Sequence, residues 1–169
     1  MQKTTLAYLA GIVDGEGYVG IKRSQAYRCQ GRQTPGYHAR IQVRMVDEPA
    51  VAMLHKAFAG SLYREKPHCN NGRPLYCWCV SDAQAEKTCR ALFPFLRVKR
   101  PQAKLIFRLR RAQANGKRHR TKVVGFHIMP HWTGCPVKIP NLRFSDAYVA
   151  RLDAMWSDMR KLNGLARFQ

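Results

Sequence analysis

A chain of 169 residues is long enough to bury a core of its own. Lys and Arg number 30 against 10 Asp and Glu, a formal net charge of +20, so the expected partner is a polyanion. No run is apolar for long enough to span a bilayer, no signal-peptide pattern follows Met1, and the six cysteines are scattered; these features exclude a spanning helix and favour a reduced, intracellular protein over a disulfide scaffold.

Thr4 or Thr5 is placed to cap a first helix, with Leu6, Leu9, Ala10 and Val13 as its apolar stripe. Gly11 and Gly15, four apart, share one face. Glycine inside a helix costs about 1 kcal/mol, so close approach of a second backbone is the expected compensation. The helix ends Leu9-Ala10-Gly11-Ile12-Val13-Asp14-Gly15-Glu16-Gly17. An acid at that turn, in so basic a chain, suggests a metal-binding carboxylate held at a helix–helix seam and aimed at a phosphate backbone. From Tyr18 to Ser24 a strand sets Val19 and Ile21 on one face, Lys22 and Ser24 on the other. After a polar loop over 25–36, His38 to Val46 alternate: Ala39, Ile41, Val43 and Met45 face in, and His38, Arg40, Gln42 and Arg44 face out.

Asp47-Glu48-Pro49 opens a second helix ending near Phe58 and Gly60. Residues 61–66 and 75–81 form a second hairpin around Asn70-Asn71-Gly72. In it Tyr63 and Glu65 share a face, and Tyr76 and Trp78 point outward with Cys77 and Cys79 inward; a register slip of one residue reverses that assignment. Asp82 is placed to cap a third helix over 83–92. Pro101 suits the first turn of a fourth, which Asn115-Gly116 ends. Residues 117–144 are basic, proline-rich and without a clear period. Ser145 opens a last helix, stopped by Asn163-Gly164. No linker divides the chain, so 1–169 is expected to be a single domain with an irregular insertion at 117–144.

On these residues the chain resembles the LAGLIDADG homing endonucleases, specifically the single-motif members that act as homodimers. The nonamer Leu9–Gly17 carries the resemblance, with Glu16 for the usual final Asp. Leu92-Phe93-Pro94-Phe95-Leu96-Arg97-Val98-Lys99 with Gln102-Ala103, and Val149 to Asn163 with Trp156, Asp158 and Leu162, extend it. The resemblance implies an α+β fold with an αββαββα core, a four-stranded antiparallel DNA-binding sheet and a C-terminal helix. It implies that Leu9, Gly11, Ile12 and Gly15 line a dimer seam. It further implies Mg²⁺ held by Glu16, and cleavage of one phosphodiester in each strand of a long, partly palindromic duplex. Other divalent metals are admissible.

Lys99 matches the family's active-site lysine, against its plain reading as one more surface cation; it either stabilises charge developing on the phosphate or polarises water. Asp47 reads as a helix cap from its own neighbours and as a water-orienting residue from the resemblance. Asp14 reads as a structural residue fixing the helix–strand junction, with direct metal contact as the alternative. The expected DNA contacts are Lys22, Ser24, Arg40, Gln42, Arg44, Tyr63, Glu65, Tyr76 and Trp78 from the sheet. Arg28 and Arg32 join them from the loop, Arg97 reaches phosphate, and Lys117, Arg118, Arg120 and Lys122 come from the basic run. One position departs from the pattern: relatives near this chain often carry a basic residue four places after Asp47, where this chain has Val51. The histidines and cysteines at 119, 127, 131 and 135, or at 69, 77 and 79, lack paired zinc spacing. Rival readings are a cleavage-inactive DNA binder, an intron RNA maturase and a ribosomal-type basic protein. Between organelle and bacterial or phage cytoplasm the residues do not choose.

Overall fold

The computed structural model describes residues 1–25, 34–65, 73–116, 120–129 and 137–165. The elements are α1 (Lys3–Glu16), β1 (Gly17–Ser24), β2 (Gly36–Met45), α2 (Glu48–Phe58), β3 (Ser61–Glu65), β4 (Leu75–Ser81), α3 (Asp82–Leu92), α4 (Arg100–Ala114), β5 (Arg120–Met129), β6 (Val137–Phe144) and α5 (Asp146–Leu165). The strands β1-β2-β4-β3 form one antiparallel four-stranded sheet in that order. Alternation gives it two unlike faces. Val19, Ile21, Ala39, Ile41, Val43, Trp78 and Val80 are buried in one cluster with Leu9 and Val13 of α1, Leu54 of α2, Leu92 of α3, Ile106 and Leu109 of α4, and Met155 and Met159 of α5. The helices therefore cover a single face and leave the other open.

Register decides what stands on the open face. Val43 pairs with Trp78 and Met45 with Tyr76, whereas Gln42 pairs with Cys79 and Arg44 with Cys77. Trp78 and Tyr76 thus lie on the covered face, and the two cysteines lie on the open one. This reverses the expected outward placement of Tyr76 and Trp78. Trp78 is 0% exposed, and its Nε1–H donates to the Ala59 carbonyl at 2.6 Å. That bond fixes the turn from α2 to β3, where Ala59 (φ 54°) and Gly60 (φ 99°) both take left-handed backbone. A Cβ on Gly60 would stand 2.5 Å from Val80 Cγ1 and 2.6 Å from the Cys79 carbonyl, so only glycine fits there.

Three smaller expectations are also corrected. No threonine caps α1, which begins at Lys3 after Gln2 and has no side-chain cap. Asp82 is the first residue of α3 and not its cap; at φ 47° it turns its carboxylate to His38 Nδ1, 3.0 Å away. Within 117–144 stands a second, two-stranded sheet, β5 against β6. Its register shifts between Arg120 and Lys122 and between Val123 and Phe126, and β6 contains Pro140. Each shift inverts the in–out alternation, which is why no period was legible there. Ser145 does open α5, accepting from Tyr148 N through Oγ at 3.4 Å. Among the described residues no helix is long and apolar enough to cross a membrane.

The last helix locks onto the sheet edge. Asn163 Nδ2 donates to the Val19 carbonyl (3.2 Å), and Gln102 Nε2 of α4 donates to Asn163 Oδ1 (3.5 Å). Arg23 of β1 pairs with Asp153 at 3.0 Å and lies over the Trp156 ring. The corrected register makes a direct prediction for β4. Trp78→Ala removes a core side chain and should cost about 3–5 kcal/mol in chemical denaturation. An unchanged unfolding midpoint would return Trp78 to the open face.

Candidate functional site

The site is built where α1 ends. Gly17 N–H bonds back to the Val13 carbonyl, and a Cβ at Gly17 would stand 2.5 Å from that oxygen. The tight turn needs glycine, and it carries the chain from helix to edge strand within one residue. Glu16, the last helical residue, is left exposed there. Asp14, two residues earlier, is half-buried and fully engaged. Its Oδ2 accepts from Arg97 N at 2.6 Å and its Oδ1 from Lys99 N at 2.8 Å. The Lys99 Nζ also donates to the Asp14 backbone carbonyl. An acid near a helix C-terminus is disfavoured by the dipole; two charge-assisted bonds from backbone N–H groups offset that. Asp14 thus makes structural bonds, and the segment it holds lies between α3 and α4 rather than at the helix–strand junction where its role was expected.

That grip brings Lys99 to the helix end. Burial pushes its ammonium below the ordinary lysine value, and the charges of Asp14 and Glu16 work in the opposite sense. Glu16 and Lys99, 83 positions apart by number, thus share one electrostatic environment. Asp47 lies exposed just beyond β2 and caps α2, its Oδ1 accepting from Ala50 N at 3.5 Å. Val51 belongs to the buried stripe of α2 and is 0% exposed. A side chain at position 51 points into the core of this chain, so it supplies nothing to the site.

Beside Glu16, a hollow of about 320 Å³ is lined by Glu16, Tyr18, Gln42 and Arg44. It opens onto the free face of the sheet. There Lys22, Ser24, His38, Arg40, Gln42 and Arg44 alternate with the buried residues of β1 and β2, and Tyr63 and Glu65 occupy the same face of β3. Arg44 is ion-paired with Glu65. Arg97 is exposed, its backbone held by Asp14. Arg120 and Lys122 fall on β5, away from the main sheet. Arg28, Arg32, Lys117 and Arg118 lie outside the described residues.

Tyr18 and Cys77 belong to this face although neither was expected there. Tyr18 shares its parity with Lys22 and Ser24, a signal present in the sequence. Its ring lies over Gly20, in the space a side chain would fill. Burial raises its hydroxyl above the ordinary tyrosine value, with Arg40 opposing.

The seam residues divide. Leu9 is 0% exposed and packs in the core of its own chain, as its place in the apolar stripe of α1 implies, so it presents no surface to the dimer seam also expected of it. Ile12 packs partly against that core. Gly11 and Gly15 are exposed beside Tyr8, and a Cβ on either would meet nothing within 4 Å. The outer face of α1 is therefore smooth and uncovered within one chain.

No family model and no curated protein matches this sequence. The fold, in contrast, has clear counterparts. It is similar to the homing endonuclease I-CvuI, solved in complex with the I-CreI target. There the TM-score is 0.66 at 16% identity, covering 95% of this chain and 82% of that one. The archaeal intron-encoded homing endonuclease I-Vdi141I, complexed with DNA, gives 0.63 at 14% identity over 96% of this chain and 86% of that one. This is the LAGLIDADG endonuclease fold. The LAGLIDADG homing endonuclease I-GzeII, in complex with its DNA target, gives 0.52 at 15% identity, over 70% of this chain and 39% of that one.

Within that fold Asp14 is a positioning residue, and its substitution separates position from chemistry. Asp14→Asn keeps the shape but turns an amide donor toward one of the two backbone N–H groups. Loss of that acceptor should destabilise the protein by about 1–3 kcal/mol. An unfolding titration with no shift in midpoint would show that the clamp carries no weight.

Proposed function

We propose that this chain is a metal-dependent, site-specific endonuclease of double-stranded DNA, working as a homodimer of the LAGLIDADG family. The observation that carries the reading is the clamp by which Asp14 holds the Lys99 segment at the end of α1, where Glu16 stands exposed beside an open, basic sheet face. The fold likeness to proteins solved with DNA supports it. The charge of +20 supports a phosphate backbone as partner.

Among the described residues no group of three or more His, Cys, Asp or Glu stands ready to hold a metal ion. An exposed single carboxylate suits Mg²⁺ nevertheless, because that ion is commonly held by one or two carboxylates together with substrate phosphates. Glu16 is the residue that would hold it, with a second copy's Glu16 and the DNA completing the set. Bound there, the ion would neutralise phosphate charge and make a water more acidic. Lys99, held by Asp14, presents a cation toward the same phosphate and stabilises charge as it develops. Asp47 stays at the rim, where its cap fixes the start of α2 and leaves its second oxygen for an ordered water. Lys22, Ser24, Arg40, Gln42, Arg44 and Tyr63 face the major groove, and Arg97 meets the backbone.

The same helix supports a homodimer. Gly11 and Gly15 each weaken α1 by about 1 kcal/mol, and within one chain nothing approaches them. Two α1 helices packed through this smooth face would repay the loss and bring the two Glu16 carboxylates together, one for each DNA strand. Intron homing and an intracellular setting belong to the same proposal.

Two substitutions test it. Glu16→Gln should retain selective duplex binding and lose Mg²⁺-dependent cutting; a variant that still cuts removes Glu16 from the chemistry. Gly15→Leu has room in the isolated chain and should leave it folded while shifting sedimentation from dimer to monomer. A dimer unaffected by that leucine would place the seam elsewhere.

A further inference from the structure

Cys77 occupies the middle of the open face, between Arg44 of β2 and Tyr63 of β3. It is 0% exposed although it stands on the side opposite the helices. Polar side chains cover it. Gln42 Nε2 donates to Cys77 Sγ at 3.1 Å. A hydrogen bond with the same thiol is the first cause pushing the Tyr63 hydroxyl up to about 12. One sulfur therefore gathers two neighbours of the reading surface.

For a glutamine, orientation is information. The amide presents an acceptor on one arm and a donor on the other, and a free amide exchanges them by turning over. With one Nε2 hydrogen held by Cys77, the carbonyl oxygen and the second hydrogen remain for a partner. Adenine offers the complement in the major groove, its N6 hydrogen as donor and N7 as acceptor. Guanine offers two acceptors there, and its O6 would face the fixed carbonyl. The neighbouring Arg44, of the residue type that most often reads guanine, is ion-paired with Glu65. Gln42 also lines the hollow that contains Glu16, so the base it reads lies at the inner end of the half-site.

We propose that Cys77 is a positioning residue for base readout: it locks the Gln42 amide so that each copy requires adenine at the base pair nearest Glu16. This rests on the DNA-reading role proposed above.

The test is selective binding by the dimer to duplexes in which each half-site base pair is varied in turn. Wild type should favour adenine at one inner position by about 5- to 150-fold. Gln42→Ala should erase that preference alone. Cys77→Ala should relax it, and Cys77→Ser, which retains an acceptor, should restore much of it; melting curves report whether each variant is folded. Gln42→Glu does not depend on the thiol being replaced and should move the preference from adenine to cytosine, whose N4 is a donor. Unchanged discrimination in a folded Cys77→Ala, or a serine no better than alanine, overturns the lock. A Gln42-dependent position that prefers another base overturns the adenine assignment. A wild type without any selective duplex site removes the nuclease proposal, and this one with it.

Discussion

The carboxylate of Asp14 is the point on which the site depends. It is the acceptor for two backbone N–H groups, of Arg97 and Lys99, in the segment between α3 and α4, just after the turn bonds from Phe95 N and Leu96 N to the Leu92 carbonyl. Lys99 is also the residue before α4, and Pro101 in that helix's first turn cannot donate a backbone bond. The start of α4 is thus fixed from outside, by the end of α1. One residue therefore ties three things together: the last turn of α1 on which it sits, the entry of α4 through its carboxylate, and the Lys99 ammonium through its backbone carbonyl. The arrangement has a cost. Lys99 is held where burial disfavours its charge, and the charges of Asp14 and Glu16 offset part of that.

A second constraint is the register between β2 and β4. It turns Trp78 inward, and the indole N–H then stabilises left-handed backbone at Ala59. It also turns Cys77 outward, under Gln42 and Tyr63. Core packing and the chemistry of the open face are consequently one decision: a slip of one residue would exchange an aromatic anchor for a thiol on both sides of the sheet.

Legibility in the sequence followed from how unlike the two faces of each strand are. From His38 to Met45 of β2 every inward residue is apolar and every outward one polar, so its faces, and with them Arg40, Gln42 and Arg44, could be read directly. In β4 both parities are apolar or aromatic, Leu75, Cys77 and Cys79 against Tyr76, Trp78 and Val80. Val80 shares its parity with Trp78 and was the one available sign that Trp78 faces in. The β5–β6 hairpin escaped because two register shifts break its alternation. Glu16 and Lys99 were found through motif resemblance, and no local pattern would have joined them. The clamp that unites them is a contact across 83 and 85 positions, and one-dimensional periodicity carries no trace of such a contact.

Val51 shows how a departure from a family pattern is to be weighed in the fold. Position 51 looked like a lost basic residue, yet α2 buries Ala50, Val51, Leu54 and Phe58 as one stripe. A cation there would have no path to the open face and would enter the core unpaired, a far larger penalty than the loss of one phosphate contact. Positive charge near Glu16 comes instead from Arg44, which lines the same hollow from β2, while Lys99 feels the Glu16 charge from the segment before α4. The charged groups near the Glu16 carboxylate therefore come from elements other than α2, which is left to stabilise the sheet from behind.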